Sequence, residues 1–394
     1  MVMQYGRFSL IYFLLFSPVG IFLPYWALYL QSLHFTAAEI GALMAFYMAA
    51  KIVSPNFWAW LADRTARPLA TLRIASLMAL FCLCQIFHVT HFWSVALVMF
   101  SFNFFWNAVI PLQESVLLSS LAREVHRYSS VRLWGSIGFV VMVVMGGWWV
   151  DAFSARWVPI ILLGIITLFF LSTWLIQERR EVSAETNRVA ESVPRERLGA
   201  LLKRRYRDII ALFSICFLMQ ASHSAYYTYY TIYLESYGYS TTVIGWLWSI
   251  GVMAEIVLFM LLPRYTGRWS GYQLVGISLL LATLRWLLMA WLPDNGVVVV
   301  LMQLLHAATY GAFHVAIIVM ITAIFEKGNR SSGQAFYGSI GYGVGGALGA
   351  YAASLVWDHI APNSAFLLGA ALACLGWLLN GCYFRKNQLG AIKV

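Results

Sequence analysis

The chain has 394 residues, 61% of them hydrophobic and 11% charged, with a mean hydropathy of +0.74. A soluble globular domain carries about twice that share of charge, so a water-soluble fold is excluded. The formal charge of +10 would suit nucleic acid, but 20 of the 26 Lys and Arg lie at the termini and in loops after even-numbered apolar spans, a pattern that marks membrane orientation instead.

Apolar stretches long enough to cross a hydrocarbon core of about 30 Å recur near 8–32, 38–62, 69–88, 92–120, 130–151, 157–177, 207–235, 241–263, 271–292, 296–325, 331–357 and 363–384. They predict an all-α membrane protein of twelve transmembrane helices. The first span is too long for the apolar core of a signal peptide and lacks a small-x-small cleavage site, so it is read as a retained helix. The positive-inside rule places both termini and the 178–206 loop in the cytoplasm. Cys82, Cys84, Cys216, Cys374 and Cys382 all fall in apolar spans and read as small hydrophobes.

An ionisable group inside a span costs roughly 3 kcal/mol or more at the helix centre, so each needs a function or a partner. Lys51 lies in the second span. In the fourth, Asn103, Asn107 and Glu114 sit at i, i+4 and i+11, within about 40° of one another around a helix, and form one polar stripe. Arg132 opens the fifth span in YSSVRLWGSIGF (128–139). The polar stretch 177–208 reads as a linker, with a short amphipathic helix near Leu198–Arg205.

The seventh span carries His223 and then Tyr226, Tyr227, Tyr229, Tyr230 and Tyr233. Tyrosine offers a flat apolar face with a polar tip, suited to an aromatic ring or a sugar; an interfacial belt is the alternative for the outermost of them. Glu255 is isolated in the eighth span and Arg285 in the ninth. His306, Tyr310 and His314 make a second stripe on the tenth. Helix–helix hydrogen bonds are the alternative to a cavity role for both stripes. A carboxylate in low dielectric beside a movable cation is what a proton site needs; Glu255 and Glu114 both qualify, although Glu255 could simply neutralise Arg285.

The two halves resemble each other. Residues 27–53 and 231–257 are identical at nine of 27 positions with an offset of 204, and GSIGF (135–139) matches GSIGY (338–342) at 203. The divisions that follow are a first six-helix bundle over 1–177, a linker over 178–206 and a second bundle over 207–394. Gly341, Gly345 and Gly349 form a ridge expected to pack where the halves rock. The offset also sets His306 opposite Asn103, so the two stripes are expected to face each other across a central cavity.

WLADRTARP (60–68) resembles the cytoplasmic loop motif of the major facilitator superfamily. Asp63, Arg64 and Arg67 stand at its charged positions, and Ala59 or Trp60 and Ala66 where it has glycine. A partial copy, LLPRYTGRWSG (261–271), keeps Arg264 and Arg268. YSSVRLWGSIGF, PLQESVLL (111–118), QASHSAYYTYYTIYL (220–234), GVMAEIVLF (251–259) and QLLHAATYGAFHVA (303–316) are similar to the phenylpropionate permease branch. That branch is related to lactose permease and the nucleoside–proton symporters. The resemblance implies the major facilitator fold, with two pseudo-symmetric six-helix bundles and a solute site at their interface. It also implies a shared layout of Glu114, Arg132, Glu255, Arg285 and His306, and a gating clamp at Asp63, Arg64 and Arg67.

The expected function is proton-coupled symport of a small organic solute by alternating access, with an aromatic carboxylate such as 3-phenylpropionate first and a sugar or nucleoside as the alternative. A multidrug antiporter or an intramembrane transferase fits the repeat and the paired charges less well. Expected solute contacts are Arg132, Glu114, Asn103, Asn107, His223, Tyr226, Tyr230, His306 and Tyr310. Glu255, Glu114, Arg285 and His306 are expected to couple protons. Arg132 is read as a carboxylate-binding fork, a structural clamp being the alternative. No metal, no cofactor beyond the proton gradient and no nucleic acid is expected, and the chain is expected to act as a monomer in a bacterial inner membrane.

Overall fold

The computed structural model describes residues 2–65, 67–121, 128–176, 198–265, 267–325, 329–385 and 392–393. Among the described residues, twelve helical spans run in sequence. They are α1 (Val2–Ser32), α2 (Ala37–Thr65), α3 (Pro68–Cys84), α4 (Phe92–Leu121), α5 (Tyr128–Ala152) and α6 (Val158–Ser172). Then come α7 (Tyr206–Ser236), α8 (Thr241–Leu261), α9 (Gly271–Trp291), α10 (Gly296–Ile324), α11 (330–359) and α12 (Ser364–Phe384). Helices are the natural outcome, because a chain in lipid must satisfy its backbone polar groups within each segment. Eleven of the described helices are individually long and apolar enough to cross a membrane, and the protein is a multi-pass membrane protein. The exception, α11, is broken in its winding: a π-helix over Tyr337–Gly345 separates two α segments. A second π segment, Ala307–Ala312, interrupts α10.

The spans sort into two compact units, one containing the first six spans and Gly238–Ser249, the other containing the rest from α7 onward. The start of α8 therefore belongs with the first unit. There Asp151, at the end of α5, accepts the Thr241 and Thr242 amides at 2.9 and 2.8 Å and both threonine hydroxyls. A carboxylate at a helix N-terminus satisfies orphan amides and meets the positive end of the helix dipole.

Each unit repeats one pairing. In the first, α5 lies along α1; in the second, α11 lies along α7. Both contacts depend on absent side chains. A Cβ on Gly138 would collide with the Phe13 carbonyl, and one on Gly349 would stand 2.6 Å from the Ala221 Cα. The ridge of Gly345 and Gly349 thus packs on α7 inside its own unit, whereas the sequence reading placed it on a surface between the halves. Backbones that approach this closely gain dispersion contacts, the main source of helix association in lipid. The turns repeat as well: His34 (φ 67) before α2 and Gly238 (φ 86) before α8 are both left-handed.

Residues 60–65 of the motif lie on the end of α2, not on the loop expected of them, and α3 begins at Pro68. Without the motif's glycines nothing stops the helix earlier, and Pro68 ends it by restricting the residue before it. Of the linker, a short helix Leu198–Arg204 is present; the part through 197 lies outside the described residues. The C-terminal end of α6 is tied down by cations, as the helix dipole favours. Arg73 donates to the Thr173 and Ile176 carbonyls at 3.0 and 3.2 Å, and Arg7 to that of Leu175 at 3.1 Å.

Candidate functional site

In the first unit, α4 presents Glu114 and the first turn of α5 presents Tyr128 and Arg132. Tyr128 and Arg132 share a face because they are four apart. The Tyr128 hydroxyl donates to Glu114 Oε1 at 3.1 Å and accepts from Arg132 Nη1 at 3.0 Å. Glu114 Oε1 and Arg132 Nη1 themselves stand 3.8 Å apart, with the side chains 32% and 56% exposed. A charge-assisted hydrogen bond needs about 2.7–2.9 Å, so the pair is joined through the tyrosine. Tyr12 of α1, fully buried, comes within electrostatic reach of all three, and its hydroxyl has no hydrogen-bond partner among the described residues.

The two asparagines of the α4 stripe are engaged in helix contacts. Asn103 is fully buried and its amide donates to the Tyr47 carbonyl of α2. Asn107 donates to the Asn103 carbonyl at 2.9 Å. Ser54 and Trp58 of α2 both donate to the Phe104 carbonyl, so polar bonds tie α2 to α4 along this edge. Lys51 stands 5.8 Å from the centre of the Tyr47 ring.

In the second unit, Arg285 of α9 is buried. Its Nη1 donates to His306 Nδ1 at 3.1 Å and Thr309 Oγ1 at 3.2 Å. Its guanidinium lies 4.6 and 4.5 Å from the Tyr226 and Trp286 ring centres, a cation–π arrangement that stabilises a desolvated cation. Its Nη2 is buried with no hydrogen-bond partner among the described residues. Because arginine only donates, His306 must accept on Nδ1, which assigns its proton to Nε2 and makes it neutral. Tyr226 donates to Gln303 Oε1 at 3.0 Å, and Tyr230 packs on Tyr226 at 4.8 Å between centroids.

His223 is held by its own helix. Its Nδ1 lies 2.9 Å from the Met219 carbonyl and 3.2 Å from the Ser222 hydroxyl, and its ring meets Trp286 edge-on at 4.9 Å. On α10, Tyr310 stacks on His306 at 5.2 Å and 9°. The π winding displaces the even stripe expected of a regular helix. Beyond Tyr310 a file of side chains continues: Tyr342 donates to Tyr310 at 3.2 Å, Tyr337 and Tyr342 hydroxyls are 3.3 Å apart, and His314 Nδ1 is 3.3 Å from Tyr337. Glu255 of α8 lies against the same π turn, where a Cβ on Gly311 would stand 3.1 Å from Glu255 Cγ.

A model described as "MFS_1 like family" matches residues 5–368. The chain belongs to this family of the major facilitator superfamily. The family member is 30% identical over 333 residues, 82% of its own length and 84% of the other's, to the "Probable 3-phenylpropionic acid transporter" of Escherichia coli (strain K12). Its fold is shared with a solved nucleoside transporter, NupG, at a TM-score of 0.81 and 19% identity, covering 98% of this chain and 100% of that one. A solved D-xylose-proton symporter superposes at 0.70 and 12% identity, covering 96% of each. The chain is a transporter with the twelve-helix major facilitator fold.

In this major facilitator protein the residues expected to gate fall at the junction of α2 and α3. Arg64 is exposed, its guanidinium 5.4 Å from the centre of the Trp60 ring, and Arg67 precedes α3 with its carbonyl capped by Thr71 at 3.0 Å. The Asp63 side chain lies outside the described residues. Of the sites expected from the sequence, Glu114 and Arg132 come together, and so do Arg285, His306 and Tyr226.

Sequence reasoning missed Tyr128, Tyr12, Gln303, Thr309, Tyr337 and Tyr342. Only Tyr128 carried a signal, being one turn before Arg132. The others look like ordinary members of apolar spans.

Proposed function

We propose that the chain is a proton-coupled symporter of a small aromatic carboxylate. It works by alternating access in a bacterial inner membrane, with both termini in the cytoplasm. The observation that supports this reading is the loose hold on Arg132. Its guanidinium cannot discharge, is 56% exposed, and has its carboxylate neighbour Glu114 at 3.8 Å. A solute carboxylate taking the planar fork through two bonds displaces Glu114 and frees that acid for the co-transported proton. The ring of Tyr128, its centre 5.9 Å from the guanidinium, supplies an aromatic surface beside the fork. The likeness to a probable 3-phenylpropionic acid transporter favours an aromatic acid; the nucleoside and xylose carriers keep a neutral polar solute as the alternative. Glu255, in an otherwise apolar span, is the second proton-carrying acid, and Glu255→Gln is expected to lose pH-driven accumulation while keeping solute exchange.

The test is Arg132→Lys in purified protein with 3-phenylpropionate as ligand. The expected result is a folded carrier whose affinity falls at least tenfold, about 1.4 kcal/mol. Wild-type affinity would sink the reading, and loss of folding would make Arg132 a structural clamp. Counterflow of labelled acid, recovered chemically unchanged from proteoliposomes, separates a carrier from an enzyme.

A further inference from the structure

The two π segments bring side chains into register that a regular helix would hold apart. Tyr337 and Tyr342 are five residues apart, about 140° around an α-helix. A π-helix bonds residue i to i+5 and so stacks such a pair. With the Tyr337–Gly345 segment wound this way, the two hydroxyls are 3.3 Å apart. The second π segment, Ala307–Ala312, presents Tyr310 to the end of this pair, where Tyr342 donates to it at 3.2 Å. His314, one α-turn beyond Tyr310, closes the other end at 3.3 Å from Tyr337.

From these contacts we infer that His314, Tyr337, Tyr342 and Tyr310 form a proton relay between the Glu255–His306 region and the cytoplasmic end of α10. The inference rests on the proton-coupled reading above. Neutral, part-buried hydroxyls suit a relay because they conduct without holding charge. Each oxygen accepts a proton from one neighbour and gives its own to the next. No electrons move, and one proton is transferred end to end. A proton released by Glu255, which lies against the Tyr310 turn, enters at Tyr310 and leaves on the His314 imidazole, which is part-exposed. Tyr342 donates back to Tyr310 in this structure, the orientation such a transfer leaves behind, and rotation of each O–H resets the file.

Groups from α7, α8 and α10 face it. Cys216 and Gln220 of α7 approach Tyr337, and Tyr227 of α7 lies near both Tyr310 and Glu255. His306 stacks on Tyr310 and in turn binds Arg285. His306 is an unsuitable terminus in this state, since its Nδ1 is occupied by Arg285.

The test uses the full chain in proteoliposomes with 3-phenylpropionate as probe, comparing wild type, Tyr342→Phe, Tyr337→Phe and the double variant. Phenylalanine keeps each ring and removes only the hydroxyl. Counterflow without a pH gradient should stay within twofold of wild type. Uptake driven by a pH gradient, and the internal acidification that accompanies it, should fall at least tenfold in each single variant. The double variant should be no slower than either single one, because a series relay is already broken by one gap; additive losses in both assays would mark a structural role and overturn the proposal. Tyr342→His, which restores a proton-carrying group, should recover part of the rate. Normal acidification in both single variants would overturn the relay alone. No solute-driven acidification in wild type would overturn the symport reading and the relay with it.

Discussion

Glu114 and Arg132 stand 3.8 Å apart with the Tyr128 hydroxyl bonded to both, at 3.1 and 3.0 Å. Two opposite charges in a membrane protein would ordinarily close to direct contact, since the attraction strengthens as water is removed. Here a neutral hydroxyl carries the connection, and the arginine keeps donors in reserve. A solute carboxylate needs to break only a shared, bridged contact.

That arrangement predicts an increase in affinity. Glu114→Gln removes the charge that competes with the solute for Arg132 but keeps an oxygen for Tyr128. Calorimetric titration with 3-phenylpropionate should show binding at least threefold tighter than wild type. Uphill uptake should be lost if Glu114 holds the proton. Weaker binding would count against displacement.

Asn103 leads to the opposite expectation. Its amide spans α2 and α4 by donating to the Tyr47 carbonyl, and it is fully buried. Asn103→Ala should lower the unfolding midpoint in detergent, corresponding to about 1 kcal/mol for one interhelical bond in a membrane protein. Solute affinity should stay within twofold. A selective loss of affinity with unchanged stability would restore the substrate role expected from the sequence stripe.

Close packing of α11 on α7 can be tested at two glycines of one span. A Cβ at Gly349 would stand 2.6 Å from the Ala221 Cα, whereas one at Gly338 would meet nothing within 4 Å. Gly349→Ala should destabilise by about 1–3 kcal/mol, the range for overpacked cores. Gly338→Ala, read by the same thermal unfolding assay, should be neutral or slightly stabilising. Equal effects would mean that the α7–α11 contact yields easily.

Orientation follows from charge. A cysteine at Ser192, in a background without the native five, should resist impermeant thiol reagents applied to intact cells. It should react once the membrane is opened. Ready labelling of intact cells would invert the topology.

The amino-acid sequence alone determined the number of spans, the internal repeat and the intramembrane charges. Lipid imposes length and apolarity on every crossing segment, so those properties are written in one dimension. The repeat reappears in the structure as paired left-handed turns at His34 and Gly238. The tertiary structure decided which polar groups meet. Asn103 and Glu114 share a stripe on α4, yet one binds a backbone carbonyl of α2 and the other faces Tyr128. Distance to a neighbouring helix made that choice, and spacing along one helix does not encode it. The two GSIG copies diverge for a similar reason: the first lies in continuous α-helix and the second in π-helix. A π turn is a packing solution with no compositional signature, and it alone brings Tyr337 and Tyr342 within reach of each other.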